Sequence, residues 1–166
     1  MERIERTAIR NLIHNEQYCR KVLPFIKEEY FTDRLEKVLF TEIYKFVNKY
    51  NNLPTKESLS IEINGNKSIN EDEYKQVTDI LSTLNPEPVN LEWLVETTEK
   101  FCKDRSIHNA VLNGIQIIDG KDKNHTLEYL PELLSNALSV SFDQKVGHDY
   151  LLESKERYDY YNRKEE

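Results

Sequence analysis

The sequence predicts an all-α protein: a globular helical bundle, followed by a long antiparallel helical hairpin and a C-terminal linker helix. Three observations carry this. Apolar residues recur at helical spacing along nearly the whole chain, beginning with Ile4, Ala8, Ile9, Leu12 and Ile13. Four Gly and five Pro in 166 residues are few for a loop-rich or all-β chain. No segment alternates apolar with polar residues convincingly enough to read as a strand.

The first helix carries the Ile4–Ile13 stripe. A second runs from Asn15 through Tyr18, Val22 and Leu23, and Pro24 should bend or end it. Thr32 reads as the N-cap of a long helix with Leu35, Leu39, Ile43, Phe46 and Tyr50 on one side, closed by Asn51-Asn52-Leu53-Pro54. Thr55 caps a short segment holding Leu59 and Ile63, and Asn64-Gly65-Asn66-Lys67 is a turn. Asn70 with Glu73 resembles a capping box, opening a helix that carries Tyr74, Val77, Leu81 and Leu84.

Asn85-Pro86-Glu87-Pro88 is the strongest internal break. Beyond it a very long helix is expected from Leu91 to Ile118, roughly 42 Å at 1.5 Å per residue. Asp119–Asn124 is a polar turn. Pro131 suits the first turn of a returning helix with Leu134 and Leu138, so the two should form a hairpin. Residues 141–148 read as a linker and Asp149 as the cap of a last, polar helix. The expected organisation is therefore 1–86 globular, 87–140 hairpin, and 141–166 linker and linker helix.

Charge and composition narrow the function. Lys plus Arg is 23 and Asp plus Glu 30, a net charge of −7, which gives no general drive toward DNA phosphates or anionic membrane. No apolar run approaches the ~18 residues of a membrane span, and the first residues do not read as a signal peptide. Two cysteines cannot frame a disulfide scaffold and point to a reducing compartment, so a cytoplasmic location is expected.

No chemistry-bearing motif survives inspection. Gly114 to Asp122 looks like a phosphate-binding loop but has five residues between its glycines, Asp122 where Ser or Thr would hold magnesium, and a helix before it in place of a strand. His14 with Cys19, and Cys102 with His108, are spaced so that a helix turns them to different faces, unlike metal ligands at i, i+4. No metal, cofactor or catalytic residue is assigned. Arg3, Arg6 and Arg10 fall on one face of the first helix. They form a basic ridge for an acidic partner or phosphate backbone, or else a solvated face balanced by Glu2 and Glu5.

The long helix is the most informative element. Leu91, Leu94, Val95, Thr98, Phe101, Cys102, Leu112 and Ile115 form one broad stripe. Ile107, Val111, Gly114 and Ile118 form a second, in the outer half only. A helix that is apolar on two sides usually has two neighbours, and a hairpin supplies one. The second stripe is therefore expected to pack on another copy of the chain or on a partner. In the last helix, Tyr150, Leu151, Tyr158 and Tyr161 share a face. A lone helix of that length is marginal in water and should dock on a surface.

The residues resemble a known family. Phe25-Ile26-Lys27-Glu28-Glu29-Tyr30-Phe31, the Leu35–Tyr50 helix and Asn52-Leu53-Pro54-Thr55 are similar to its "P-x-x-F" element, following helix and proline turn. Trp93-Leu94-Val95 with Glu96–Lys100 matches the start of its long helix. Ala137-Leu138-Ser139-Val140-Ser141-Phe142-Asp143 and Val146-Gly147-His148-Asp149 resemble the stretch joining hairpin to linker helix. The family is the DnaB-type replicative DNA helicases, in the T-even phage form, and the resemblance is to the N-terminal domain.

That resemblance implies a collar on a ring hexamer, built through paired hairpins (Ile107, Val111, Gly114, Ile118). It implies a linker helix (Tyr150, Leu151, Tyr158, Tyr161) docked on a neighbouring subunit's RecA-like motor, and contact with primase and a helicase-loading protein. The motor, with its P-loop, arginine finger, ATP and magnesium, is not in this chain. The chain itself is therefore expected neither to hydrolyse nucleotide nor to unwind DNA, and its contact with DNA should be weak or absent. If phage-encoded, the parent acts in the host cytoplasm. The ending Arg163-Lys164-Glu165-Glu166 reads as a domain cut from a longer chain. The alternative expectations are a stand-alone all-α adaptor binding a protein through the hairpin, and a small enzyme built from scattered carboxylates.

Overall fold

A computed structural model describes residues 3–142, and among these every regular element is helical. The seven α-helices are α1 (Ile4–His14), α2 (Glu16–Val22), α3 (Arg34–Tyr50), α4 (Lys56–Asn64), α5 (Glu71–Thr83), α6 (Leu91–Ile118) and α7 (Leu130–Leu138). Short 3-10 turns sit at Glu28–Tyr30 and Leu127–Tyr129. No helix of the described residues is long and apolar enough to cross a membrane.

Local chemistry sets the ends. Asn15, Asn70 and Asn90 each place a side-chain oxygen on a backbone N–H three residues on, capping α2, α5 and α6. Asn70 and Glu73 complete the capping box, and Thr55 with Ser58 makes another at α4. At α3 the cap is Asp33, not Thr32: its carboxylate accepts from the Glu36 N–H at 3.0 Å. Asn51 ends α3 in the left-handed conformation (φ 54°), which the short polar Asn side chain tolerates.

One core runs through α1 to α5 and the base of α6. Ile9, Leu12, Leu39, Ile43, Leu59, Ile63 and Leu94 are fully buried in it, and Phe31 and Leu81 nearly so. Burying side chains of this size stabilises by about 1.5–3 kcal/mol each before chain entropy is counted. Tyr50, at the end of the Leu35–Tyr50 stripe of α3, is 48% exposed and lies against Phe46 at 4.7 Å. The helix has by then run past the core.

Polar contacts tie α6 to the globular body. The Thr98 hydroxyl donates to the Leu94 carbonyl at 2.7 Å, so the buried Tyr18 hydroxyl, 2.7 Å away, must be the donor in the Tyr18–Thr98 bond. Burial raises the Tyr18 phenol above its ordinary range, which keeps that proton in place. Further along α6, Arg105 Nε donates to the Tyr30 carbonyl at 3.1 Å and Asn109 Nδ2 to the Glu29 carbonyl at 2.9 Å. His14 Nε2 donates to the Leu84 carbonyl at 2.7 Å and holds the chain as it leaves α5.

Glu42 is a weak point. Its side chain is 8% exposed, and its nearest partners are Asn66 Nδ2 at 3.4 Å and Lys45 Nζ at 3.9 Å. Burial, more than Lys45 offsets, holds its carboxyl above the ordinary value of 4.5. A carboxyl with a raised folded-state pKa carries a stability penalty. That penalty develops as pH rises from 4.5 through the folded value and is constant above it. Glu42→Gln should therefore raise the thermal midpoint by a few degrees at pH 7 and leave it unchanged at pH 4, by scanning calorimetry. A lower midpoint at pH 7 would show that the charge is stabilising.

Candidate interaction surface

α6 and α7 are neighbours, and two contacts fix their sense. A Cβ built on Gly114 would lie 3.2 Å from Leu130 Cδ2, and the Phe142 N–H donates to Glu99 Oε2 at 2.9 Å. As one chain number rises the other falls, so the pair is antiparallel. Ala110, Gly114 and Ile117 form the buried, inward side of the outer half of α6, and Ala137 the corresponding side of α7.

Gly114 is therefore not on an outer face. Its missing side chain is what lets Leu130 of the same molecule approach. Two residues move the other way. Leu112 and Ile115, which continue the first stripe, are 49% and 45% exposed. The globular body grips α6 only as far as Asn109, so the same stripe continues into solvent. Val111 and Ile118 are 48% and 63% exposed, and Ile107 is half-buried.

At about 100° per residue, Val111, Ile115 and Ile118 lie within about 60° of one another, about 100° round α6 from its α7-facing side. On α7, Leu134 and Leu138 stand about 90° round from Leu130, Leu133 and Ala137 in the same chain sense. Because the helices are antiparallel, equal offsets in the same chain sense bring both sets to one side of the pair. Leu134 and Leu138 are 39% and 63% exposed there. Together they form one apolar face made by two helices, about 16 Å along the axis and about 20 Å across. The signal for α7's share was in the sequence: Leu130, Leu133 and Ala137 make one helical stripe, and Leu134 and Leu138 a second beside it.

The basic ridge is spent internally. Arg3 Nη2 and Arg6 Nε both bond to Glu36 Oε2, at 2.7 and 3.0 Å, and the Glu36 side chain is fully buried. Arg3 also reaches Glu5 at 3.0 Å, and Arg10, 10% exposed, lies 3.7 Å from Glu87. Arg3, Arg6 and Arg10 thus hold α1 to α3 and to the Pro86–Pro88 loop region. Tyr150, Leu151, Tyr158 and Tyr161 lie outside the described residues.

Among the described residues no group of three or more His, Cys, Asp or Glu is arranged to hold a metal ion. Both cysteines are buried. Burial pushes the Cys19 thiol up to about 11 and the Cys102 thiol up to about 12, which keeps both protonated near neutrality. A groove of about 580 Å³ between α2 and the end of α3 is floored by Cys19, Leu23, Val47 and Leu53, with the Glu16–Arg20 pair (2.8 Å) on its rim.

No protein-family model matches the chain. It is 33% identical over 149 residues to a DnaB-like replicative helicase of Enterobacteria phage T4. The match takes in 85% of this chain and 31% of the helicase, so the chain spans about a third of that relative's length. Across most of its sequence the chain is thus similar to one part of a DnaB-like replicative helicase.

Proposed function

We infer that the chain is a non-catalytic assembly domain: the N-terminal collar of a hexameric, ATP-driven replicative helicase. The observation that carries this reading is the apolar face shared by α6 and α7, with Val111, Ile115, Ile118, Leu134 and Leu138 all at least 39% exposed. A face built from two antiparallel helices suits a two-fold contact with its own copy, in which each hairpin covers the other's leucines and isoleucines. Its contribution to the helicase is geometric. It holds neighbouring subunits together while their motors change shape.

Size sets the strength of that contact. A footprint of about 300 Å² per copy falls well below the ~800 Å² per partner of a standard stable interface. One hairpin pair alone therefore gives a weak, reversible dimer, and a closed ring draws on further contacts in the whole protein. In that protein ATP and magnesium belong to the RecA-like motor. The collar also offers a surface to primase and to a helicase-loading protein, readings that rest on the family likeness and are assigned to no residue here.

Light scattering over a concentration series tests this. The chain should weigh 19.8 kDa at low micromolar concentration and rise toward twice that at high micromolar. A mass fixed at 19.8 kDa up to about 500 μM, far above the ~1 μM scale of specific weak pairs, would remove the reading.

A further inference from the structure

The returning arm of the hairpin is short and packs chiefly on one neighbour, α6. α7 has nine residues, and Ala137 is its one buried residue. Isolated helices of that length do not persist in water. Its exposed leucines, Leu134 and Leu138, stand to one side of the seam with α6.

What holds the near end lies three residues past Ser139. Phe142 is 6% exposed, belongs to the main core, and stacks on Phe25 with ring centroids 5.1 Å apart. Its N–H donates to Glu99 Oε2 at 2.9 Å. Glu99 sits on the same α6 stripe as Ser106, Ala110, Gly114 and Ile117, the stripe that faces α7, so the bond continues the α6–α7 seam down to the globular body. The chain that continues beyond Phe142 is joined directly to this point.

We propose that Phe142 and Glu99 form a latch that keeps α7 in register on α6, so that the two-helix apolar face exists only while the latch is closed. With Phe142 seated, α7 is pinned at both ends, at Leu130 over Gly114 and at Phe142 over Phe25. With Phe142 withdrawn, Leu130, Leu133 and Ala137 still rest on α6, but the anchor to the globular body at the C-terminal end of α7 is lost. Leu134 and Leu138 then lose their fixed place alongside α6. Any pull on the chain beyond residue 142 meets the latch before it reaches α7. The link from latch to pairing rests on the assembly reading above; the latch itself does not.

Amide hydrogen exchange on the full chain tests it, with Phe142→Ala and Glu99→Ala, and Glu99→Gln as the variant that keeps a carbonyl acceptor. The latch predicts at least tenfold faster exchange over residues 133–138 in Phe142→Ala. It predicts a smaller gain in Glu99→Ala, near-normal exchange in Glu99→Gln, and unchanged exchange over residues 39–43 of α3. Unchanged α7 exchange overturns the proposal. So does equal acceleration in α3 and α7, which would make Phe142 an ordinary core residue. If Phe142→Ala fails to fold, Glu99→Ala against Glu99→Gln decides by the same α7 readout. Light scattering on the same samples separates the two ideas. Faster α7 exchange with unchanged self-association keeps the latch and sinks the pairing face. Lost self-association with α7 still protected sinks the latch.

Discussion

Val111→Glu combined with Ile118→Glu should hold the chain at 19.8 kDa across the concentration range in which the unchanged protein self-associates. In a two-fold contact the pair brings four carboxylates into one apolar patch. Each would be desolvated without a partner, and a hundredfold weaker association, about 2.7 kcal/mol, is a conservative expectation. The fold should be untouched, because both side chains already stand in solvent, at 48% and 63% exposure, where substitutions usually shift stability by under about 0.5 kcal/mol. Gly114→Arg makes the contrast: its side chain has to enter at 3.2 Å from Leu130, so it should disrupt the hairpin itself and not merely the contact between copies. A Val111/Ile118 variant that associates as before would show that some other surface joins the copies.

Glu36→Ala should be the most damaging change in the globular body outside the apolar core. One fully buried carboxylate oxygen takes both Arg3 and Arg6. Removing it leaves two guanidinium groups aimed at a cavity. Breaking a buried ion pair from one side costs about 3–5 kcal/mol when both charges are enclosed. Here the arginine side chains keep 52% and 27% of their exposure, so water recovers part of the loss and about 2 kcal/mol is expected. Urea denaturation measures it directly. A loss under about 0.5 kcal/mol, the range of ordinary surface changes, would mean that the cluster positions nothing.

The helices were legible in the sequence because periodicity and caps are local. Asn70 with Glu73, Thr55 before α4, and Pro131 at the start of α7 each act within one turn. Thr32 and Asp33 show the limit of that logic. Both are cap-type residues, and only the register of the helix tells which carboxylate or hydroxyl meets the Glu36 N–H. The two faces of α6 were legible as well, but not which neighbour covers which arc. Gly114 and Ile115 are adjacent in sequence, and one lies under Leu130 while the other faces solvent. The arginines of α1 read as a basic surface since their acceptor lies 30 residues or more away, and charge pairing at that range leaves no mark in local spacing.

The grip of the globular body on α6 has a mechanical consequence. Arg105 and Asn109 bond to backbone carbonyls of the 3-10 turn, so the rod is clamped along two-thirds of its length. From Asn109 to Ile118 only about 14 Å projects as a cantilever. A 10° flexure at the clamp would move the tip by about 2 Å, less than the width of a methyl group's contact shell. An arm so stubby transmits orientation faithfully, and in the proposed pairing a twist of one protomer would rotate its neighbour.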